Sequence, residues 1–194
     1  MIIIGLTGGM GSGKSTVGTM FKDLGIPVYN SDERAKQLMN TSKKIKKELI
    51  GLFGKEAYSE EELNRPFIAE KVFNDADLLT KLNGIVHPKV RKDFLKWTKK
   101  QNTPYVIQET ALLFENKSQK LYDKVILVTA PKELRIQRVL KRDKSSREQI
   151  NSRMNNQLDD DIKIKLADYI IENIDLDITR SKILELHERI LTNC

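Results

Sequence analysis

The sequence contains few of the residues that build disulfide scaffolds, metal clusters or membrane segments. Its 194 residues include a single cysteine, Cys194, at the last position. One cysteine excludes an intrachain disulfide and a cysteine-based metal cluster, so we expect a reducing, cytoplasmic setting. No apolar run approaches the roughly 20 residues that cross a membrane. The apolar segment at residues 2–6 is too short for a signal peptide and follows no charged stretch, so we expect no membrane partner.

The sequence also lacks internal repeats, low-complexity segments and linkers rich in proline or glycine. Hydrophobic residues make up 39% of the chain and charged residues 31%, as in soluble globular proteins with a moderate core. This length suits one α/β domain with an insertion, or two small lobes. We expect any additional lobe to be an insertion into one core.

The formal net charge of +7 is compatible with two kinds of partner. A basic chain attracts nucleic acid, and it equally suits a site for two highly phosphorylated small molecules. The lysines of residues 43–47 lack the interleaved aromatic residues of a platform that stacks single-stranded bases. We interpret them mainly as the solvated face of a helix, and we expect no nucleic-acid partner.

A glycine-rich loop follows the first apolar run. Residues 7–16 read TGGMGSGKST and match the phosphate-loop pattern G-x-x-x-x-G-K-[ST] between a strand and a helix. The glycines let backbone N–H groups point at phosphate oxygens, Lys14 can reach the β and γ phosphates, and the Ser15 hydroxyl can ligate Mg²⁺. The chain is therefore predicted to bind a nucleoside triphosphate. The expected contacts come from Gly9, Gly11, Ser12, Gly13, Lys14, Ser15 and Thr16.

Alternating strand and helix patterns predict an α/β fold with a parallel sheet. The five expected strands lie at residues 2–6, 26–29, 104–109, 124–129 and 168–173. The third strand ends on Glu109, and an acid at a strand end that faces a phosphate loop commonly holds Mg²⁺ or its water. Leu113 belongs to an apolar cluster after this strand, which could pack into the core or line a pocket.

Asp32 follows the second strand and has two interpretations. As a polar residue before a helix it could serve as a cap. It also lies just past the carboxyl end of a strand, where ligands gather in open α/β sheets. A carboxylate there could accept or orient the proton of an attacking hydroxyl, because phosphoryl transfer depends more on positioning than on basicity. Local sequence does not separate these roles.

Residues from about 33 to 103 carry no strong strand signal and are expected to be helical throughout. Pro88 should kink or break the helix that its neighbours predict. His87 precedes this proline, and a histidine in such a place is either structural or functional. We interpret the whole span as a helical insertion between two strands of the core.

Three arginines recur on one face of the helix after the fourth strand. Arg135, Arg138 and Arg142 stand at positions i, i+3 and i+7, as in a solvated charged stripe or in a clamp on phosphate oxygens. The next helix begins near Ser145 and Glu148, which have capping-box spacing, and it carries Arg153 and Gln157 on one face. This region is typical of a lid that closes over a nucleotide.

In this order, the motifs resemble those of the dephospho-coenzyme A kinase family over nearly the whole chain. The residues that carry the resemblance are the phosphate loop, Asn30-Ser31-Asp32, Leu82-Asn83 with His87-Pro88, residues 112–115 (LLFE), and Arg138 with Arg142-Asp143. The resemblance implies a three-layer P-loop NTPase core with a five-stranded parallel sheet, a helical substrate-domain insertion and a helical lid. The implied boundaries are 1–31, 104–140 and 159–194 for the core, 32–103 for the domain that binds the CoA-side acceptor, and 141–158 for the lid.

The same resemblance implies that the γ-phosphoryl of ATP is transferred to the ribose 3′-hydroxyl of dephospho-CoA with Mg²⁺. It implies that Asp32 orients the 3′-hydroxyl, that Arg138 and Arg142 contact the phosphates, and that Asn173 helps to hold adenine. The acceptor would contact Asp32, His87 and Leu113, and the metal would contact Ser15 and Glu109. We expect a monomer, and the sequence leaves an oligomer open.

Three positions depart from the family pattern. Asn30 replaces the first Asp of an Asp-x-Asp segment, Glu109 and Ala111 replace an Asp and a Pro, and the residues after Asn173 lack the usual glycine. Two other functions stay open on the residues alone: a kinase of another small acceptor, and a nucleotide-dependent switch or nucleic-acid-binding ATPase. The absence of an Asn-Lys-x-Asp motif argues against a GTPase switch.

Overall fold

The computed structural model describes residues 1–73, 75–143 and 145–192. Cys194, the basis of the disulfide argument, lies outside the described residues. The chain divides into two compact units. The core unit contains Met1–Asn30 and Gln101–Cys194, and the inserted unit contains Ser31–Lys100.

The core unit is built on a five-stranded parallel sheet, which confirms the predicted α/β fold. Its strands are β1 (Ile2–Gly8), β2 (Val28–Asn30), β5 (Tyr105–Glu109), β6 (Lys124–Thr129) and β7 (Tyr169–Glu172), in the order β2-β5-β1-β6-β7. The second strand begins two residues later than expected. Asn30 lies opposite Glu109 in the register of β2 and β5, and Leu6 lies opposite Glu109 in that of β1 and β5, so polar and loop residues collect at the carboxyl edge.

Helices cover both faces of this sheet. They are α1 (Lys14–Asp23), α6 (Lys132–Arg142), α7 (Arg147–Asn155), α8 (Asp160–Leu166) and α9 (Leu176–Thr192). Alternation along β6 explains the three layers, because successive side chains of a strand point to opposite faces. Ile126 and Val128 join the apolar cluster of α1 and α9, whereas Val125 and Leu127 join a second cluster with Leu113.

The inserted unit is mostly helical, as predicted, but it also contains a short hairpin that was not expected. Its elements are α2 (Ser31–Thr41), α3 (Lys43–Phe53), β3 (Tyr58–Ser59), β4 (Glu62–Leu63), α4 (Arg65–Phe73) and α5 (Ala76–Thr98). The turn of the hairpin is formed by Glu60 and Glu61, which both have positive φ (48° and 74°). Such turns usually contain glycine or asparagine, so two glutamates give no turn signal in the sequence.

Of the kink or break expected at Pro88, the structure excludes the break. Helix α5 runs for 23 residues with Pro88 inside it. An internal proline costs about 3 kcal/mol because it removes one backbone donor and crowds the preceding turn. Val86, Val90 and Phe94 are buried on either side of the proline, and their packing against the other helices of the unit offsets this cost.

Helix α3 presents its lysines mainly to solvent. Lys43, Lys44 and Lys47 are exposed, whereas Ile45 and Leu49 are fully buried on the opposite face. This pattern agrees with the solvated helix face inferred from the sequence. Within the described residues, no helix has both the length and the apolar character needed to cross a membrane.

Candidate active site

The phosphate loop ends at the N-terminus of α1, and this terminus carries no side-chain cap. Gly13 is the N-cap residue, it makes no side-chain hydrogen bond, and the first turn of α1 contains no acid. The first N–H groups of any helix lack partners within that helix. In α1 they belong to Lys14, Ser15 and Thr16, so their N–H dipoles are available to an anion.

Two glycines of the loop have conformations and neighbours that exclude a larger residue. Gly11 and Gly13 have φ of 78° and 89°, in the left-handed region that favours glycine. A Cβ on Gly11 would lie 2.4 Å from the Arg135 carbonyl oxygen, and a Cβ on Gly13 would lie 2.1 Å from Asn173 Nδ2. The loop therefore lies directly against α6 and against the residue after β7.

Asn173 supports the phosphate loop through a hydrogen bond to its backbone. Its side chain is 1% exposed, and its Nδ2 donates to the Ser12 carbonyl over 2.9 Å. Thr179 Oγ1 donates to the Asn173 Oδ1 over 3.3 Å. The Asn173 side chain thus has a supporting contact with the loop, which is a different role from the adenine contact that the resemblance implied.

Ser12 also turns inward. Its side chain is buried, and its N–H donates to the Gly9 carbonyl over 3.1 Å inside the loop. The neighbouring residues of the loop, Gly9 and Gly11 among them, line a pocket of about 590 Å³, whereas Ser12 does not. The pocket is therefore lined by the loop residues on either side of Ser12.

Glu109 lies at the carboxyl edge of the sheet and joins three groups of the core unit. Ser15 Oγ donates to its Oε1 over 2.7 Å, Lys14 Nζ lies 3.6 Å from the same oxygen, and Asn30 Nδ2 donates to its Oε2 over 3.1 Å. Glu109 is buried, with 4% of its surface exposed. These contacts give the buried carboxylate both hydrogen-bond donors and a counter-charge, which offset the cost of its burial.

The donor set at this point fits a magnesium ion that is shared with a nucleotide. Ser15 and Glu109 supply hard oxygen donors within 2.7 Å of each other. Among the described residues, no group of three or more His, Cys, Asp or Glu could hold a metal by itself. Mg²⁺ is usually bound by one or two protein oxygens together with substrate phosphates and water, so a pair of oxygens suffices.

The three arginines of α6 have separate environments. Arg135 is buried, where its Nε donates to the Met10 carbonyl over 2.8 Å and its guanidinium pairs with Asp160 at 2.8 Å. Arg138 lies beside the loop, 3.4 Å from the Ser12 carbonyl oxygen. Arg142 forms two hydrogen bonds with Asp143, and these raise the pKa of the guanidinium.

The pocket above the loop brings together most of the residues predicted for the nucleotide. It is lined by the loop and by Arg138, Arg142 and Gln157. Arg135 supports the loop from outside this pocket, so only two of the three arginines face it. The sequence pattern did not distinguish them, because all three lie on one helical face.

The helices predicted as a lid begin and end at different residues than expected. The capping box is formed by Ser146 and Gln149, one residue later than the predicted pair of Ser145 and Glu148. Helix α7 ends at Asn155, so Gln157 lies beyond it. The side-chain Oε1 of Gln157 accepts from the Met10 N–H over 2.9 Å, a contact between residues 147 positions apart that no local pattern indicates.

The inserted unit contains the predicted acceptor residues Asp32 and His87. Asp32 lies in the first turn of α2, and His87 lies in α5, which packs against α2. Burial lowers the pKa of His87, and the nearby Asp32 carboxylate opposes this shift. Arg34 ties the same two helices together, since its guanidinium makes hydrogen bonds of 2.7 and 3.0 Å to Asp93.

Leu113 belongs to the hydrophobic core. Its side chain is 0% exposed and packs with Phe114, Val125 and Leu127. Of the two interpretations offered by the sequence, the structure favours packing, which corrects the expectation that Leu113 contacts the acceptor.

Comparison with known proteins gives consistent matches along the chain. Residues 2–177 match the sequence profile of the family described as Dephospho-CoA kinase. A dephospho-CoA kinase of Porphyromonas gingivalis is 44% identical over 154 residues, which cover 79% of this chain and 76% of that protein.

Two solved structures are also similar to this chain. The crystal structure of TT1252 from Thermus thermophilus has a TM-score of 0.86 at 35% identity and covers 96% of this chain and 97% of that one. A dephospho-CoA kinase from Campylobacter jejuni has a TM-score of 0.70 at 28% identity, with 97% and 96% covered.

Proposed function

The chain belongs to the dephospho-CoA kinase family, and from this premise we propose which of its residues perform each part of the reaction. Enzymes of this family transfer the γ-phosphoryl of ATP to the ribose 3′-hydroxyl of dephospho-CoA, in the last step of CoA biosynthesis. The core unit binds ATP. The acceptor-side residues are Asp32 and His87 of the inserted unit, and the lid is the segment 141–158.

ATP is held by the phosphate loop and by the pocket arginines. The N–H groups at the start of α1 receive the phosphate oxygens, and the Lys14 ammonium adds a charge at the transferring end. Arg138 and Arg142 line the same pocket and offer paired donors to the phosphates. Arg142 exchanges its contact with Asp143 for one with phosphate.

Mg²⁺ is held by the Ser15 hydroxyl and, directly or through water, by Glu109. When bound, it neutralises the charge that develops on the phosphate oxygens. Glu109 has a second task in this protein, because it also contacts Lys14 and Asn30. Its carboxylate thereby holds the positions of both the lysine and the end of β2.

Asp32 accepts or orients the proton of the 3′-hydroxyl. It follows Asn30 by two residues, so the end of β2, which is hydrogen-bonded to Glu109, leads directly into the turn that carries Asp32. Since the transition state is loose, a correctly placed carboxylate of ordinary basicity is sufficient. We further propose that the enzyme acts as a cytoplasmic monomer, without a nucleic-acid or membrane partner.

The observation that carries this proposal is the contact between Ser15 and Glu109 beneath an uncapped helix N-terminus. The test is ADP release by purified protein with ATP and Mg²⁺. Dephospho-CoA, nucleoside monophosphates, a sugar acid and RNA are added in separate reactions. We expect release with dephospho-CoA alone, and product analysis should show a phosphate on the 3′-hydroxyl. Release with another acceptor and none with dephospho-CoA would contradict the assignment.

A further inference from the structure

The segment from the end of α7 to the first turn of α8 contacts both the phosphate loop and Glu115. We call residues 156–163 the strap. On one side the strap contacts the phosphate loop, and on the other it contacts Glu115, which follows the metal-side acid Glu109 by six residues. All of these residues lie in the core unit.

On the loop side, the strap and Arg135 bind both backbone polar groups of one residue, Met10. The Met10 N–H donates to the side-chain Oε1 of Gln157 over 2.9 Å, and the Met10 carbonyl accepts from Arg135 Nε over 2.8 Å. Arg135 is in turn paired with Asp160 of the strap at 2.8 Å. Because both backbone groups of Met10 are bonded to side chains, the orientations of the two peptide groups that flank Met10 depend on the position of the strap.

On the other side, the strap is anchored by a buried ion pair. Lys163 Nζ lies 2.9 Å from Glu115 Oε1, and the exposed fractions of the two side chains are 2% and 15%. The same Glu115 oxygen accepts from the Leu158 N–H over 3.2 Å. Glu115 therefore holds the residue next to Gln157 as well as Lys163 in the first turn of α8.

A gain in stability does not readily explain the buried ion pair of Glu115 and Lys163. Desolvation of two charges offsets most of their attraction, and apolar residues of the same size often stabilise a protein equally well. Moreover, Glu115 Oε2 is buried without a hydrogen-bond partner among the described residues. The pair instead fixes the orientation of the strap, because the Glu115 carboxylate is bonded both to Lys163 and to the Leu158 N–H.

We propose that Glu115 and Lys163 are positioning residues for nucleotide binding. They hold the strap so that Gln157 and the Arg135–Asp160 pair keep the two peptide groups that flank Met10 in the orientation that opens the phosphate loop. This proposal rests on the proposed nucleotide site. It predicts a defect in nucleotide affinity that is transmitted through Gln157, with the acceptor side unaffected.

The test uses the full chain and calorimetric titration with ADP and Mg²⁺, without acceptor. A Glu115→Gln variant leaves Lys163 buried and unpaired, so it is accompanied by the double variant Glu115→Leu/Lys163→Met, which removes both charges. Gln157→Leu removes the acceptor of the Met10 N–H. Lys124→Met serves as the matched control, because Lys124 forms an ion pair of 3.0 Å with Asp168 in the same unit, at a half-exposed position.

We expect the double variant and Gln157→Leu each to raise the dissociation constant of ADP about tenfold, the effect of one lost hydrogen bond to a constrained group. A variant that carries both sets of substitutions should bind ADP no more weakly than the weaker-binding of the two, since both act through one contact. In steady-state kinetics, the KM for ATP should rise while the KM for dephospho-CoA stays within about twofold.

Three results would overturn the proposal. The first is an unchanged affinity for ADP in a double variant whose melting temperature has fallen, because the pair would then be merely structural. The second is full additivity with Gln157→Leu, and the third is an equal defect in Lys124→Met. Since the titration contains no acceptor, it decides this proposal even if dephospho-CoA is not the substrate.

Discussion

The Ser15 hydroxyl donates a 2.7 Å hydrogen bond to Glu109, and Lys14 Nζ lies 3.6 Å from the same carboxylate oxygen. Consecutive residues of the phosphate loop thus meet one acid at the end of the neighbouring strand β5. The arrangement places the proposed metal donors and the phosphate-binding lysine around a single buried carboxylate.

Glu109→Gln should weaken magnesium binding and slow the reaction. The amide keeps the shape of the side chain but removes the charge that faces both Lys14 and a magnesium ion. We expect kcat to fall and the Mg²⁺ concentration for half-maximal rate to rise about tenfold, as for the loss of one charge-assisted contact. Rates measured across a magnesium titration give both quantities.

Glu172→Gln is the matched control, because Glu172 is an exposed acid at the end of another strand, β7. Its magnesium dependence should equal that of the unaltered enzyme. If Glu109→Gln also shows an unchanged magnesium dependence, Glu109 is not part of the metal site. Melting temperatures of both variants separate this effect from a general loss of stability.

Gly13→Ala should strongly impair nucleotide binding. The positive φ of 89° costs an alanine about 1 kcal/mol, and its Cβ would lie 2.1 Å from Asn173 Nδ2. Asn173 must then move and lose its bond to the Ser12 carbonyl. We expect the affinity for ADP, measured by calorimetry, to fall by more than about tenfold.

Gly25 offers a control with the same backbone cost and no contact. Its φ is 80°, and a Cβ there would meet no atom within 4 Å. Gly25→Ala should therefore lower the free energy of unfolding by about 1 kcal/mol while the affinity for ADP stays unchanged. If the two alanine variants bind ADP equally well, the contact between Asn173 and the loop does not support binding.

The sheet could be predicted from the sequence because β1, β5 and β6 are apolar runs with turns at their ends. The hairpin of the inserted unit could not, since Glu60 and Glu61 occupy turn positions that glycine or asparagine usually fill. In the site, the loop motif identified Lys14 and Ser15. The contact of Arg135 with Met10 spans 125 positions, and helical spacing alone made Arg135 look like Arg138.

Asp32→Asn should abolish turnover and leave the affinity for ADP intact. The amide cannot accept the proton of the 3′-hydroxyl, and Asp32 is proposed to act on the acceptor alone. Single-turnover rates with saturating dephospho-CoA and calorimetry with ADP measure the two effects. Loss of both activity and ADP affinity would contradict this division of labour.

Glu33→Gln controls for the position of Asp32 in its helix. Both acids lie in the first turn of α2, where each interacts favourably with the helix dipole. The two variants should therefore lose similar, small amounts of stability. Should Asp32→Asn retain a kcat near that of Glu33→Gln, the role of Asp32 is limited to the helix terminus.

The His87 imidazole should make the inserted unit less stable at mildly acid pH. Burial lowers its pKa below the ordinary value of about 6.5, so the unfolded chain binds more protons than the folded chain as the pH falls through this value. The free energy of unfolding should thus be fully retained above about pH 6.5 and should decrease below it, towards the folded pKa. His87→Gln should lessen this decrease in denaturant titrations at pH 7.5 and 5.5.

Asp32 provides an internal check on the cause of this shift. Its carboxylate raises the pKa of His87 against the effect of burial, so Asp32→Asn should lower that pKa further. The chain has two histidines, and their imidazole resonances can be followed by NMR, with His187→Gln to assign them. If the His87 resonance titrates at or above about 6.5, burial does not govern the pKa of this imidazole. If Asp32→Asn does not lower its midpoint, the two proposed acceptor-side residues are electrostatically independent, and the pH dependence of acceptor binding would have to arise from other groups.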